Sequence, residues 1–419
     1  MVTVSDFSVG SFNYLTLTER VITPFYVYDS EKIVFQYQAL SKEITKILEK
    51  EIQIRYAVKA NSNLAILSLL RKLGSGVEVV SGGELLRALK AKIPANRIVF
   101  SGIGKTEEEI RLAIDTGVEQ LSVESLEELK KVEEIAKEVQ KEIPICLRIN
   151  PNIQAQTHEK ITTGTSENKF GIPLSQIEEA SKLITKSSHL TYLGLSVHIG
   201  SQIQSALSYQ KTFKVIREIV QDLKVKGYSF RRLDLGGGFS VPYSIDEHPF
   251  DITAYAKALK EELGDLPYDF VIEPGRYLVA EAGFLLTKVL YIKRTPLRTF
   301  VVIDAGMNDM MRSALYDAKH SVIPCRASTN STEEELVDLV GPVCESSDCF
   351  AKQIPMPKNL RPGDILAITH AGAYGASLSS TYNTRALIPE VLVDKDKIFL
   401  IRERIEPEHF LTFETPRHL

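Results

Sequence analysis

Four short stretches of this 419-residue chain gather side chains able to do chemistry: YAVKAN (56–61), HIGSQ (198–202), LGGGF (235–239) and EPGR (273–276). Lys59 follows small and apolar residues. A lysine desolvated there loses its proton readily and attacks carbonyls, whereas a lysine solvated just past its strand does no chemistry. The consecutive glycines Gly236, Gly237 and Gly238 let backbone N–H groups approach a phosphate, or simply make a tight turn. Glu273 offers a carboxylate able to keep a ring nitrogen protonated, and Arg276 a guanidinium able to reach a phosphate or carboxylate. The plainer alternative for that pair is a surface salt bridge beside a Pro-Gly turn. His198, near Ser201, reads as a catalyst or as a hydrogen-bonded core histidine, and without a second His or Cys at ligand spacing no metal is expected.

The elements that must position these groups form a regular series. Eight β-rich runs recur: IQIRYAV (52–58), GVEVVS (76–81), RIVFS (97–101), EQLSVE (119–124), PICLRIN (144–150), YLGLSVHI (192–199), RRLDLG (231–236) and DFVIEP (269–274). Successive starts are 21 to 48 residues apart, room for a strand, a turn and a helix, which is the rhythm of parallel βαβ units rather than hairpins. The intervening segments carry helix signals. Ser125 with Glu128 forms an S-x-x-E capping pattern, followed by Leu126, Leu129, Val132, Ile135, Ala136 and Val139 on one face. Thr106 with Glu109 and Ser81 with Glu84 repeat the cap. The series predicts an α/β fold, a (β/α)8 barrel, with a doubly wound open sheet as the alternative.

In such barrels the functional groups lie where strands end, and phosphate sites are built from the loops after strands seven and eight. Lys59, His198, Gly236 to Gly238, Glu273 and Arg276 all fall at strand ends, and the last two motifs follow the seventh and eighth strands. After about residue 285 the rhythm changes to strand-like runs, LLTKVLYIK, TFVVIDA, DILAITH, ALIPEVLVD and KIFLIRE. A chain this long exceeds the roughly 250 to 300 residues at which one core stops growing. A barrel over 30–283 is therefore expected, with a second, mostly β domain made of 284–419 and completed by the N-terminal segment 1–29, whose PFYVYD run could join its sheet.

A net charge of −4, from 50 Lys+Arg against 54 Asp+Glu, leaves no basic stripe for nucleic acid, and no apolar run reaches the length of a membrane span. Four scattered cysteines, at 146, 325, 344 and 349, fit neither a disulfide framework nor a zinc ribbon. The N-terminus lacks the pattern of a signal peptide, so a cytoplasmic protein acting on a small molecule is expected.

YAVKAN, HIGSQ, DLGGGF and EPGRYLV together resemble the fold-type III pyridoxal-phosphate decarboxylases, whose barrel is of the alanine-racemase type. DAGMNDMMRSALYDAKH (304–320), GPVCESSD (341–348) and GAYGASLSSTYN (372–383) are similar to the diaminopimelate decarboxylases, as are SGIGKTEEEI (101–110) and the span from RINP (148–151) through TTG (162–164) to NKFG (168–171). The resemblance implies decarboxylation of meso-2,6-diaminopimelate to L-lysine and CO2, the last step of lysine biosynthesis, with pyridoxal 5'-phosphate as cofactor. It implies that Lys59 holds the cofactor, His198 stacks on its ring and Glu273 pairs with its ring nitrogen. Ser201, Gly236, Gly237, Gly238, Arg276 and Tyr374 would surround the phosphate. Arg276, Arg312, Tyr316, Glu345 and Tyr374 would bind substrate, and Cys344 would donate a proton from the partner chain of a homodimer with shared active sites. Read from its residue type alone, Cys344 could otherwise be a buried, inert thiol, the commoner state of a free cysteine. Ornithine, arginine and carboxynorspermidine decarboxylases are the alternatives within the class; Cys344-Glu345, where ornithine enzymes typically carry Cys-Asp, and the MNDMMRSALY pattern favour diaminopimelate. A non-catalytic homologue that binds a protein partner is the alternative from another class, disfavoured because Lys59, Glu273 and Cys344 are all present.

Overall fold

Parallel strands buried on both faces need apolar side chains on both, and the short runs of the sequence meet that requirement. The computed structural model describes residues 6–153, 168–244, 247–326 and 333–415, so the TTG stretch at 162–164 lies outside the described residues. Its two compact units are Val34–Val241 with His248–Tyr277, and Met1–Ile33 with Pro242–Glu247 and Leu278–Leu419.

In the first unit eight parallel strands close into a barrel: Gln53–Ala57, Gly76–Val79, Ile98–Phe100, Gln120–Val123, Ile143–Asn150, Leu190–Ser196, Arg232–Asp234 and Asp269–Ile272. Each pairs with its neighbour in sequence, and the last returns to the first through Val271 opposite Gln53 and Ile272 opposite Ile54. Val99, Phe100, Leu121, Val123, Val271 and Ile272 are wholly buried. The alternative of an open sheet is thereby excluded.

Helices return the chain between strands, and their ends are set by local chemistry. Thr106 accepts from the Glu109 N–H while the Glu109 carboxylate accepts from the Thr106 N–H, a reciprocal cap that satisfies two orphan donors of the helix Glu107–Thr116. That helix stops at Gly117, whose φ of +70° is a left-handed conformation that glycine takes without steric cost. Ser81 and Ser125 also cap as expected, but Glu84 and Glu128 each reach one residue further back, to the N–H of Val80 and of Glu124. At the opposite end of the barrel Glu119 accepts from Arg55 at 2.8 Å and from Arg232 at 2.6 Å. Burial works against its ionisation, yet the bonds from the two guanidiniums outweigh it and hold the carboxyl below its ordinary range.

The second unit is a nine-stranded, mostly antiparallel sheet among the described residues. Its spine is the twelve-residue strand Gly283–Arg294. The first half of that strand pairs with Phe25–Asp29 and with Ile365–Ile368, and the second half with Thr299–Ile303. The strand Phe25–Asp29 is held on its other edge by Glu390–Asp394, in parallel. Phe25 and Val27 point into a core with Leu286, Ala367, Val391 and Val393, while the Tyr26 hydroxyl, on the other face, donates to the Asp309 carbonyl at 2.7 Å. Among the described residues no helix is long and apolar enough to cross a membrane.

Candidate active site

Lys59 lies in a single 3-10 turn, Val58–Ala60, directly after the first barrel strand, with both flanking residues buried. The turn is pinned by the Tyr56 hydroxyl, which donates to the Asn61 carbonyl at 3.0 Å. Gly275 packs against it, since a Cβ at that glycine would stand 3.0 Å from Ala57 Cβ and 3.1 Å from Ala60 Cβ. The sequence leaves open a desolvated lysine or one solvated just past its strand. The structure leaves the side chain 39% exposed and gives it a counter-charge, with Nζ 2.9 Å and 3.1 Å from the two carboxylate oxygens of Glu78. Glu78, buried in the second strand opposite Ala57, is a residue that sequence reasoning passes over. Its signal is a single carboxylate inside the apolar run GVEVV. Close by, burial raises the Glu84 carboxyl to about 6, against the opposing bond from the Val80 N–H.

The ends of the sixth, seventh and eighth strands form a cradle of bare backbone. A Cβ on Gly236 would come 2.3 Å from the Val197 carbonyl, on Gly237 2.1 Å from that of Glu273, and on Gly238 2.4 Å from that of Gly200. Gly236 and Gly238 also hold φ values of +66° and +96°. The Gly237 N–H donates to His198 Nδ1 at 3.3 Å, which puts the remaining ring proton of a neutral imidazole on Nε2. His198 is half-buried, and burial, with Arg148 and Lys59 adding to it, pushes its pKa well below the usual value. Arg276 Nη2 donates to Ser201 Oγ at 3.1 Å, joining the loops that follow the sixth and eighth strands.

Glu273 closes the eighth strand. Burial pushes its carboxyl well above the ordinary range, the neighbouring carboxylates of Asp234 and Glu78 push the same way, and Lys59 opposes them. Asp234, also buried, accepts from Gln120 Nε2 at 2.9 Å and from the Gly236 N–H at 3.1 Å. One oxygen of Glu273, Oε1, is buried with no hydrogen-bond partner among the described residues. An acceptor left so costs about 1–3 kcal/mol, which a donor seated against it would recover.

The implied cofactor fits this barrel. A protonated ring nitrogen would supply the donor that Glu273 Oε1 lacks, the glycine cradle with Ser201 and Arg276 suits a phosphate, and Lys59 stands on the same rim.

In the sheet unit Arg312 and Tyr316 share one face of the short helix Arg312–Tyr316, four residues apart, with Arg312 buried and Tyr316 half-buried. Ser313 Oγ donates to the Ala318 carbonyl at 3.1 Å and fastens the turn that follows. Tyr374 has φ +57° and is half-buried. Cys344 and Glu345 are exposed on the tip of the turn between the strands Glu334–Val340 and Cys349–Pro357, so the buried-thiol alternative for Cys344 fails on this chain. The turn is fixed by Asp348, whose carboxylate accepts from the N–H groups of Met307 at 2.7 Å and Val343 at 2.6 Å. Tyr382 and Ser347 both donate to the Glu345 carboxylate, at the edge of a hollow of about 480 Å³ that Met307 and Met311 also line.

A family model described as "Pyridoxal-dependent decarboxylase, pyridoxal binding domain" matches residues 31–280. The chain is 43% identical to a diaminopimelate decarboxylase of Helicobacter pylori over 94% of this chain and 96% of that one. It is 41% identical to a diaminopimelate decarboxylase of Haemophilus influenzae, over 93% of this chain and 92% of that one. Among solved structures it is similar to the diaminopimelate decarboxylase of Helicobacter pylori complexed with L-lysine, with a TM-score of 0.91 at 42% identity, covering 96% of this chain and 99% of the other.

Proposed function

The chain belongs to the pyridoxal-dependent decarboxylase family, and from that premise we propose that it removes one carboxylate, at the D-centre, from meso-2,6-diaminopimelate to give L-lysine and CO2. It is a carboxy-lyase. The observation that carries this reading is the buried Glu273 carboxyl, whose Oε1 has no partner among the described residues, on a rim that also bears Lys59 and the glycine cradle. The near full-length similarity to diaminopimelate decarboxylases supports the substrate.

Pyridoxal phosphate, when bound, supplies an electron sink for the pair of electrons left on Cα as the carboxylate departs. Lys59 would hold that group covalently. Glu273 would keep its ring nitrogen protonated, and the neutral His198 would pack against the ring without adding charge. Ser201, Gly236, Gly237, Gly238, Arg276 and Tyr374 would hold the phosphate. Arg312 grips the distal carboxylate with a planar fork of donors, assisted by Arg276, Tyr316 and Tyr374, and Glu345 takes the distal ammonium. Ornithine lacks that distal carboxylate and leaves such a grip unfilled. Cys344 returns a proton to Cα.

The span 30–283 is the cofactor-binding domain and 1–29 with 284–419 the second, save that 30–33, Pro242–Glu247 and 278–283 fall in the compact unit of the sheet. The protein works in the cytoplasm as a homodimer whose sites are shared, each with Lys59 from one chain and Cys344 from the other. The exposure of Cys344 and Glu345 supports this. Two experiments test the proposal. Carbon dioxide release is assayed in parallel on meso-diaminopimelate, ornithine and arginine; release from the first alone is expected, and release from ornithine or arginine instead would overturn the substrate assignment. Mixing Lys59→Ala chains with Cys344→Ala chains under exchange should restore about a quarter of wild-type activity from two inactive parents, because a two-fold dimer places both lesions in one site and leaves the other intact. No recovery after proven exchange would end the shared-site reading.

A further inference from the structure

Arg312 is 5% exposed, and a long side chain buried to that degree has to be held by specific partners if its guanidinium is to point one way. One of those partners is a histidine eight residues further on. Arg312 Nη1 lies 2.8 Å from His320 Nε2, and His320 Nδ1 lies 2.8 Å from the carbonyl oxygen of Thr369. The chemistry of the two neighbours fixes the ring. A carbonyl can only accept, so Nδ1 carries the proton; a guanidinium can only donate, so Nε2 presents its lone pair. His320 is therefore the neutral Nδ1–H tautomer, anchored to the backbone at one nitrogen and receiving the arginine at the other.

The surrounding groups make this a rigid frame. Tyr243 lies under the guanidinium, 4.4 Å from Arg312 Cζ to the ring centre, and meets the His320 ring edge-on at 5.0 Å. The Tyr243 carbonyl accepts from Ser321 Oγ at 3.2 Å, and the Ser321 carbonyl accepts from the Thr369 N–H at 2.9 Å. Thr369 directly follows the sheet strand Ile365–Ile368, so the frame is tied to regular structure. The imidazole lone pair and the tyrosine face orient the guanidinium, and neither contact carries a countercharge.

We propose that His320 is a positioning residue for Arg312, holding its guanidinium in the orientation that grips the distal carboxylate of the substrate. The proposal rests on the reading of Arg312 given under the proposed function.

The test uses the cofactor-loaded enzyme and two substitutions that divide the functions of the two ring nitrogens. His320→Asn keeps an N–H near the Nδ1 position, for the Thr369 carbonyl, but has no acceptor where Nε2 stood. His320→Gln places an amide oxygen near the Nε2 position. A hydrogen bond to a charged group is at stake, so His320→Asn should raise KM for meso-diaminopimelate about 10-fold or more, with kcat within about twofold of wild type. His320→Gln should recover most of that loss. In an Arg312→Ala background, where KM is already raised, adding His320→Asn should change nothing further. Cofactor absorbance should be the same in all variants. Unchanged KM in His320→Asn while Arg312→Ala raises it overturns the positioning role alone; unchanged KM in Arg312→Ala overturns the reading of Arg312 and the proposal with it. If His320→Asn does not fold, nitrogen-15 spectra of wild-type protein labelled at histidine decide the matter: an Nδ1–H signal for His320 supports the proposal, and an Nε2–H signal overturns it.

Discussion

The Lys59 ammonium and the Glu78 carboxylate form an ion pair across adjacent barrel strands, 2.9 Å apart, with the acid buried and the lysine partly open to water. The pair holds the lysine on the barrel rim, and Glu78 depends on Lys59 for part of its compensation. Lys59→Ala should abolish turnover and the visible absorbance of lysine-bound cofactor while leaving the fold intact. It should also destabilise the cofactor-free protein, and Glu78→Gln added to it should restore about 1 kcal/mol, a small sum because the lysine is so exposed. Thermal melts of the two single variants and the double variant measure that coupling; strict additivity would mean the pair contributes nothing.

Glu273→Gln should still bind pyridoxal phosphate, since the cradle and Lys59 are untouched. It should lower kcat about 100-fold or more, because an amide cannot keep the ring nitrogen protonated. Cofactor titration followed by steady-state kinetics separates the two effects. An unchanged kcat would remove Glu273 from the chemistry.

Glu345→Ala should penalise meso-diaminopimelate by leaving its distal ammonium without a partner, at a cost of about 2 to 5 kcal/mol, or roughly 30-fold to several thousand-fold in kcat/KM. Competition against ornithine and arginine tests whether this is recognition. Equal losses for all three would show that Glu345 does not read the substrate.

His198 sets a pH dependence whose sign follows from its environment. Burial, with Arg148 and Lys59, holds its folded pKa well below the 6.5 of the unfolded chain. As pH falls below about 6.5 the unfolded chain takes up a proton that the folded protein refuses. The stability is therefore full above that pH and is lost as the pH falls toward the folded pKa, by at most about 1.4 kcal/mol per pH unit for this one group. Urea unfolding of cofactor-free protein between pH 5.5 and 7.5 should show a shallower slope for His198→Gln than for wild type. Identical slopes would contradict it.

The barrel is legible in the sequence because strands buried on both faces must be short apolar runs, and the caps at Ser81, Thr106 and Ser125 mark where helices begin. The rim residues follow from the rule that function lies at strand ends. The sheet unit is less legible. The strand Cys349–Pro357 carries Pro355 and Pro357, which weaken a strand pattern; the structure tolerates them because this strand ends the sheet order, where an edge needs fewer N–H donors. Glu78 is visible as a lone acid in an apolar run, but its partner is 19 residues away in another element. Asp348 and His320 act through backbone groups of distant segments, Met307 and Thr369, and nothing in the sequence identifies which backbone group a side chain will meet.

This barrel should carry pyridoxal phosphate on Lys59, among Glu273, His198 and the glycine cradle. Loading the purified protein with pyridoxal phosphate, reducing it with borohydride, digesting it and locating the added phosphopyridoxyl mass among the peptides tests that attachment. The mass is expected on Lys59 alone, and should disappear in Lys59→Ala. Stoichiometric labelling of a different lysine, or no covalent label in protein that binds the cofactor and releases CO2 from meso-diaminopimelate, would contradict it.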